Sequence, residues 1–351
     1  MKKTIYLILG ATLLALMGCQ NQNKEEKFEF KNWNQCESLT SLKSFVEKSL
    51  DKADKKNYIP SEDRIAVFDM DGTLYGELFP TYLEYVMYQY RVLEDPTYKD
   101  LASEEEITFA NEIKEGVHNN SYPSGTDMRH ARLAAKAYSG MTLKAFDEYA
   151  KTFLKKSIPC FSNMTYAEAF YEPMREVVNY LKQSDYEVYV VSGSDRFLCR
   201  SLLIDNLGIS SNNIIGMDVK LVATNQGDTE GVNYQITDED QILRSDELLI
   251  KNLKFNKVAQ IIKEIGKQPV LSFGNSGGDQ SMHKYTINNN QYPAEAFMLV
   301  ADDTVRDYSY LTDEKIASLN TQWSNQGFHV VSMKNDFKTI YKANVSKAAV
   351  A

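Results

Sequence analysis

The chain has 351 residues, 43% of them hydrophobic, which is enough apolar material to build a buried core and excludes disorder as the default state. Its formal net charge of −9 argues against a protein held on nucleic acid or on acidic headgroups by its overall field. We therefore expect no nucleic-acid partner, and an anionic substrate would have to be captured by a local site.

The N-terminal residues have the pattern of an export signal. Two lysines near the start precede an apolar run over residues 5–17, which is too short to span a bilayer comfortably. The run ends in Leu16-Met17-Gly18-Cys19, which resembles a bacterial lipobox and implies cleavage before Cys19 and its acylation. We predict a signal peptide over residues 1–18, a lipidated flexible tether over 19–31, and a protein anchored in the bacterial cell envelope, on the periplasmic or surface face of the outer membrane. An uncleaved signal anchor is the alternative.

Three cysteines follow Cys19 in the sequence: Cys36, Cys160 and Cys199. An exported protein can form disulfides, but an odd number of thiols leaves at least one cysteine unpaired. At most one disulfide is expected, and a bond between Cys36 and Cys160 is one of the arrangements that the sequence leaves open.

The rest of the chain alternates between short apolar runs and helical periodicity. This alternation predicts a mostly parallel sheet covered by helices, with ligands bound beyond the carboxyl ends of its strands. Strands are predicted over residues 64–68, 187–191, 218–223, 270–273, 296–300 and 329–332. Helices are predicted over residues 32–50, 174–181, 257–265 and 315–326 and in a segment ending at Leu203, with a largely helical insertion over 75–161 and a polar loop from 224 to 241.

The strongest chemical signal follows the strand at residues 64–68. The sequence Asp69-Met70-Asp71-Gly72-Thr73 places two carboxylates on a tight loop. There both can bind one divalent ion, while one carboxylate attacks as a nucleophile and the other transfers protons. A calcium-binding loop also begins with Asp-x-Asp, but it requires Gly at its sixth position and Glu at its twelfth. This chain has Leu74 and Pro80 there, so that interpretation fails.

This motif resembles the first motif of the haloacid dehalogenase superfamily. The resemblance implies an α/β fold, with a Rossmann-like, mostly parallel sheet and an inserted helical cap. It also implies that Asp69 is the nucleophile and a ligand of Mg²⁺, and that Asp71 protonates the leaving group, later activates water and offers its carbonyl to the metal. The second aspartate favours phosphoryl transfer, because dehalogenases of the superfamily lack an acid at that position.

Two later segments resemble the phosphate-binding motifs of the superfamily. Ser192 and Gly193 follow a predicted strand, where a hydroxyl and free backbone N–H groups can bind a phosphate oxygen at a helix start. The motif lysine, which neutralises charge on the transferring group, is either Lys254 or Lys257. We favour Lys257, because it leads directly into the helix that ends near Ile265.

The fourth motif follows the strand predicted at residues 270–273. Glycines on both sides of Asn275 permit a close turn, and Asp279 is implied as a metal ligand. Many relatives carry Asp where this chain has Asn275, so the resemblance implies a neutral oxygen ligand there, binding the metal directly or through water.

The resemblance covers almost all of the mature chain. Segments such as Ile265-Gly266-x-x-Pro269 make it similar to exported bacterial phosphatases related to phosphoserine and phosphorylcholine phosphatases. It implies a catalytic core over residues 32–75 and 162–351 and a helical cap over 76–161. Glu77 stands where relatives place an acid near the cap, so it either contacts a cationic part of the substrate or is a helix-start carboxylate.

We expect a Mg²⁺-dependent phosphomonoester hydrolase that acts on a small phosphorylated metabolite through an aspartyl-phosphate on Asp69. The alternatives are a phosphotransferase and a non-catalytic binding lipoprotein on the same fold. A histidine phosphatase is disfavoured, because the sequence Arg129-His130-Ala131-Arg132 lacks the glycine of the Arg-His-Gly signature and no predicted strand precedes it. The sequence leaves open which phosphomonoester is the substrate.

Overall fold

The computed structural model describes residues 28–78, 80–119 and 121–348. In these stretches the chain forms nine β-strands and ten α-helices. The strands are β1 (Ile65–Phe68), β2 (Phe161–Ser162), β3 (Glu187–Asp195), β4 (Ile214–Ala223), β5 (Ile242–Ile250), β6 (Leu271–Gly274), β7 (Glu295–Val300), β8 (His329–Ser332) and β9 (Ser346–Lys347). The helices are α1 (Glu37–Leu50), α2 (Leu83–Leu93), α3 (Glu104–Asn119), α4 (Thr126–Ala137), α5 (Leu143–Leu154), α6 (Glu172–Gln183), α7 (Arg196–Leu207), α8 (Phe255–Glu264), α9 (Gln280–Ile287) and α10 (Asp313–Asn325).

Seven of the strands form one sheet in the order β5-β4-β3-β1-β6-β7-β8. Neighbouring strands run parallel, except for the antiparallel pair β4 and β5. Strand β1 lies between β3 and β6, with Ala66 opposite Val188 on one side and Leu271 on the other. The prediction of an α/β fold with a Rossmann-like, mostly parallel sheet is confirmed.

Strand β1 is short and apolar because both faces of the sheet are covered. Ala66 and Phe68 belong to the main hydrophobic core, whereas Ile65 and Val67 pack in a separate apolar cluster. Successive side chains of a strand point to opposite faces, so a strand buried on both sides needs a continuous apolar run. The first polar residue after this run, Asp69, therefore stands at the carboxyl end of the strand.

The predicted cap segment, residues 76–161, contains four helices, α2 to α5, between β1 and β2. The turn between α4 and α5 is bonded to strand β5: Gly140 N donates to Arg244 O at 2.8 Å, and Arg244 N donates to Met141 O at 2.9 Å. Helix α5 begins after Thr142, whose side chain accepts a hydrogen bond from Ala145 N. The helical character of the segment agrees with the sequence pattern, and the division into core and cap stays a prediction.

Some predicted elements differ from those in the structure. Strand β5 and helix α9 were not predicted, and β3 continues beyond residue 191 to Asp195. Helix α1 begins at Glu37, five residues later than the predicted start. The end of the predicted tether is packed: the rings of Phe28 and Phe30 lie 5.3 and 5.1 Å from that of Tyr180. The predicted signal peptide and Cys19 lie outside the described residues.

The cysteines do not form the disulfide that the sequence left open. Cys36, Cys160 and Cys199 are all free thiols. Their surroundings differ: Cys36 Sγ, just before α1, lies 3.3 Å from Ser38 Oγ, while the carbonyl of buried Cys160 accepts a hydrogen bond from Tyr308 OH at 3.0 Å. Within the part of the chain that the structure describes, no helix has the length and apolar character needed to cross a membrane.

Candidate active site

A cavity of about 170 Å³ lies at the carboxyl ends of β1, β3 and β6. This is the edge of a parallel sheet at which the loops after successive strands converge. Charged and polar side chains from the core and from helices α2 and α4 make most of its wall. It is lined by Asp69, Asp71, Glu77, Tyr82, Glu84, Asp127, Gly193, Ser194, Lys251, Leu253, Lys254, Lys257, Asn275, Ser276, Gly278 and Asp279.

Lys257 joins the first and fourth motifs at the floor of the cavity. Its Nζ lies 2.5 Å from Asp69 Oδ1 and 2.6 Å from Asp279 Oδ1, and all three side chains are buried. Burial alone would lower the pKa of Lys257, but the charges of Asp279 and Asp69 outweigh it and raise that pKa. The raised pKa favours the charged form of the lysine between the two carboxylates.

The two carboxylates respond differently to this arrangement. Burial and the nearby charge of Asp279 raise the pKa of Asp69 to about 7, with Lys257 opposing the shift. Burial also tends to raise the pKa of Asp279, but the charges of Lys257 and His283 and the hydrogen bonds from Lys257 and Asn275 together hold that pKa below its usual range. Lys254, the other candidate for the motif lysine, also lines the cavity, and its backbone N donates to Gly278 O at 3.0 Å.

The carboxyl of Asp71 is fixed through one oxygen. Asp71 Oδ2 accepts a hydrogen bond from Ser194 Oγ at 2.7 Å, whereas buried Asp71 Oδ1 has no partner among the described residues. Burial and the charge of Asp69 raise the pKa of Asp71 well above its ordinary value. These effects favour the protonated form, which a general acid requires.

The hydroxyl on the cavity wall belongs to Ser194 and not to Ser192. Ser192 is fully buried behind the wall, and its Oγ accepts a hydrogen bond from Ser194 N at 3.0 Å. Gly193 also lines the cavity, and its predicted phosphate binding stays a prediction. All three residues belong to strand β3, with Ser194 nearer to its carboxyl end than Ser192. The sequence reasoning missed Ser194, although the second hydroxyl of the Ser-Gly-Ser sequence was a signal for it.

The loop between β6 and α9 wraps around the Asp279 carboxylate. Asp279 Oδ2 accepts hydrogen bonds from Asn275 N and Ser276 N, each at 3.1 Å. The side-chain nitrogen of Asn275 donates to Glu77 Oε2, which leaves the amide oxygen as the group that could act as a ligand. Burial raises the pKa of Glu77 to about 7, although a hydrogen bond from Tyr82 opposes the shift. Glu77 thus lines the cavity and also contacts the fourth motif.

The far wall was not predicted from the sequence. Lys251, just after β5, donates to Glu84 Oε1 of α2 at 2.6 Å, and Asp127 of α4 accepts from Tyr85 OH at 2.7 Å. These residues do not form a recognisable sequence motif. They come together only because the inserted helices pack against the region of β5. His130 is buried on α4, with its Nε2 3.2 Å from Glu84 O.

The donor atoms in the cavity are suited in chemistry to a hard divalent cation. The Lys257 ammonium lies within 2.6 Å of both Asp69 and Asp279. The two carboxylates are therefore close enough to interact with one and the same positive charge. Carboxylate, carbonyl and amide oxygens are the ligands that such cations prefer. No group of three or more His, Cys, Asp or Glu side chains in the described stretches is arranged to hold a metal ion. Any such site would therefore combine the carboxylates with other oxygen donors.

The chain is similar to several solved structures at low sequence identity. Among solved structures, the chain is similar to a conserved protein of unknown function from Anaerococcus prevotii, at 15% identity over 89% of this chain and 97% of that one, with a TM-score of 0.51. It is also similar to a cytosolic 5′-nucleotidase IIIB bound to cytidine, at 12% identity over 85% of each chain, with a TM-score of 0.48. A third similar structure is a phosphoserine phosphohydrolase-like protein from Francisella tularensis, at 12% identity over 76% of this chain and 94% of that one, with a TM-score of 0.39.

At these identities the likeness to solved structures shows the fold alone. No curated protein matches the chain. The family model for haloacid dehalogenase-like hydrolases matches residues 66–283, which is more than half of the 351 residues. The match begins in β1 and ends in α9, so it includes Asp69, Lys257 and Asp279. The chain belongs to the haloacid dehalogenase-like hydrolase family.

Proposed function

We propose that this hydrolase is a Mg²⁺-dependent phosphatase, which cleaves the phosphomonoester of a small metabolite through an aspartyl-phosphate on Asp69. The observation that carries the proposal is the arrangement of three groups in one cavity. The Asp69 carboxylate lies beside the Lys257 ammonium, and Asp71 stands two residues further along, with one oxygen held by Ser194. This grouping around a single small space supports the roles of nucleophile for Asp69, charge neutralisation for Lys257 and general acid for Asp71.

In the first step, an oxygen of Asp69 forms a bond to phosphorus while the bond from phosphorus to the leaving oxygen breaks. The electron pair of the broken bond goes to the leaving oxygen, which takes the proton of Asp71. Lys257 balances the negative charge on the other phosphoryl oxygens, with Gly193 on the cavity wall. Ser192, whose Oγ accepts a hydrogen bond from Ser194 N, supports this end of β3.

A Mg²⁺ ion would be held by Asp69, Asp279, the carbonyl of Asp71 and the amide oxygen of Asn275, and it would neutralise charge on the transferring phosphoryl group. In the second step, Asp71, now a carboxylate, removes a proton from water as the water oxygen attacks phosphorus. The acyl-phosphate bond breaks, phosphate leaves, and Asp69 is restored. A cavity of about 170 Å³ suits a small leaving group.

The same first step would serve a phosphotransferase, in which an alcohol replaces water in the second step. Product analysis in the presence of added alcohols separates the two activities, because transfer would form a new phosphomonoester and hydrolysis only phosphate. A binding protein on this fold would form neither product.

The proposal is tested by hydrolysis of p-nitrophenyl phosphate with Mg²⁺ and then with EDTA. We expect metal-dependent turnover by the wild type and a loss of roughly a thousandfold or more in Asp69→Asn, because the nucleophile is removed. Asp228→Asn is the matched control, since Asp228 is exposed in the loop between β4 and β5 and should keep full activity. Circular dichroism checks that each variant is folded. Turnover by folded Asp69→Asn at the wild-type rate would refute the proposed nucleophile.

A further inference from the structure

The orientation of the Asp71 carboxyl depends on its hydrogen bond from Ser194. Ser194 is 3% exposed, and its Oγ lies 2.7 Å from Asp71 Oδ2. The other carboxyl oxygen, Oδ1, is buried and has no partner among the described residues. Ser194 therefore fixes which Asp71 oxygen is occupied and which has no partner within the described stretches.

Ser194 is held in turn by the residue that follows it. Asp195 Oδ1 accepts hydrogen bonds from Phe197 N at 2.9 Å and Leu198 N at 3.2 Å, so it caps the start of α7. Asp195 Oδ2 accepts a hydrogen bond from Arg244 Nη2 at 2.5 Å, and Arg244 Nη1 lies 3.3 Å from Asp195 Oδ1. The last residues of β3 are thus tied both to α7 and to the side chain of Arg244.

Arg244 is buried and does not line the cavity. Its side chain is 1% exposed, and its guanidinium carbon lies 4.0 Å from the centre of the Phe146 ring on α5. Its backbone is bonded to the turn between α4 and α5, at Gly140 and Met141. One residue of β5 therefore joins the inserted helices to the segment that carries Ser194.

A buried ion pair of this kind is costly to form and contributes little net stability, because both charges lose their hydration. Its geometry, however, is rigid, since the guanidinium contacts both oxygens of the carboxylate. A catalytic group needs such support, because displacement by about 1 Å can cost a hundredfold in rate. The Arg244–Asp195 pair is well placed to supply it.

We propose that Arg244 is a positioning residue for proton transfer: through Asp195 and Ser194 it holds the Asp71 carboxyl so that its unpartnered oxygen faces the leaving group. The inference rests on the proposed phosphatase function. Asp71 donates its proton to the leaving oxygen as the bond to phosphorus breaks and is left as a carboxylate. Loss of Arg244 leaves Asp195 held only by its two hydrogen bonds from the start of α7, and the adjacent Ser194 then fixes that carboxyl less firmly.

This role has a kinetic signature that a general loss of structure does not have. An alkoxide leaving group needs a proton, whereas p-nitrophenolate leaves readily without one. A misplaced Asp71 should therefore slow the hydrolysis of alkyl phosphates far more than that of p-nitrophenyl phosphate. A smaller fraction of folded enzyme would lower both rates by the same factor.

The experiment compares kcat/KM for glycerol phosphate and for p-nitrophenyl phosphate in Arg244→Met and Ser194→Ala. We use kcat/KM because it reports the step in which the leaving group departs, before the dephosphorylation that all substrates share. We expect kcat/KM for glycerol phosphate to fall about 10–100-fold more than that for p-nitrophenyl phosphate in both variants. Ser194→Ala removes one hydroxyl, so it provides the test even if Arg244→Met does not fold.

Arg200→Met is the matched control. Arg200 lies on α7 with its guanidinium carbon 5.5 Å from the Phe197 ring, and its Nε bonds to Ser211 O, away from the cavity. The Arg200→Met substitution should lower kcat/KM for the two esters by the same factor or leave both unchanged. An equal loss for the two esters in Ser194→Ala and in folded Arg244→Met would overturn the positioning role. Failure of the wild type to hydrolyse either ester would overturn the proposed function, and this inference with it.

Discussion

Gly274, the last residue of β6, has no side chain because the Asp279 carboxylate occupies that space. A Cβ at residue 274 would lie 2.6 Å from Asp279 Cβ and 2.8 Å from Asp279 Cγ. We expect Gly274→Ala to push this carboxylate away from Lys257. Turnover should fall by more than about tenfold, half-saturation by Mg²⁺ should need more metal, and the strain should cost roughly 1–3 kcal/mol of stability.

Gly277, in the same loop, provides the control for this prediction. A Cβ there would meet no atom within 4 Å, and the residue is exposed. Gly277→Ala should keep the activity and the metal dependence of the wild type within about twofold. A metal titration of turnover and a thermal melt measure both variants. Equal effects of the two substitutions would show that crowding of Asp279 is not the cause.

Single residues also mark the limit of prediction from the sequence. The motif order points to Asp69, Asp71 and Asp279, but it left two lysines, because both lie close to the start of the same amphipathic helix. In the structure α8 begins at Phe255, and Lys257, in its first turn, is the lysine whose side chain bonds to Asp69. Ser194 was missed for a similar reason, because the sequence alone did not show that β3 continues to Asp195.

Strand β5 is one of the elements that sequence reasoning missed, and it connects the inserted helices to the sheet. Apart from buried Arg244, its residues are exposed or partly buried without regular alternation and include several charges, so the segment resembles a surface loop more than a strand. Its partners are distant in sequence: it pairs with β4, and Arg244 reaches Asp195. Such long-range contacts leave no pattern in the local sequence, whereas the buried parallel strands are recognisable in the sequence as continuous apolar runs.

The ion pair between α2 and the end of β5 should be strongly coupled. Lys251 and Glu84 are both buried, with 2.6 Å between Nζ and Oε1. We expect Lys251→Met and Glu84→Leu each to destabilise by about 3 kcal/mol, because each leaves a buried group without its partner. The double variant should lose much less unfolding free energy than the two single variants lose together. In urea unfolding, this difference corresponds to a coupling free energy of roughly 1–3 kcal/mol between the two side chains.

The exposed pair Lys220 and Glu247, between β4 and β5, is the comparison for this cycle. Its atoms are 2.9 Å apart, but the side chains are 47% and 56% exposed. Solvent screens such a pair, so its coupling should be below about 1 kcal/mol. If the buried pair couples no more strongly than this exposed one, then the contact between α2 and β5 does not depend on charge.

At the scale of the whole molecule, the charge bears on how the protein would associate with a membrane. Removal of residues 1–18 takes away two of the 39 basic residues and none of the 48 acidic ones, which leaves 37 against 48 and a net charge of −11. A chain with this charge is repelled by anionic headgroups. The first described residue, Phe28, already packs against Tyr180, so a lipid at Cys19 would hold the folded part within about 30 Å of the bilayer, at about 3.4 Å for each extended residue.

We therefore propose that acyl chains on Cys19 anchor the enzyme, and that charge contributes nothing to its attachment. When the chain is expressed in bacteria, the wild type should incorporate labelled palmitate and stay with the membrane fraction at high salt, but detergent should release it. Cys19→Ser should lose the label and appear in the soluble fraction with unchanged phosphatase activity, because residue 19 is remote in sequence from every cavity residue. Cys36→Ser, which alters a thiol in the folded part, should keep the label and the membrane location. Release of the wild type by salt alone, or retention of the label in Cys19→Ser, would contradict the lipid anchor.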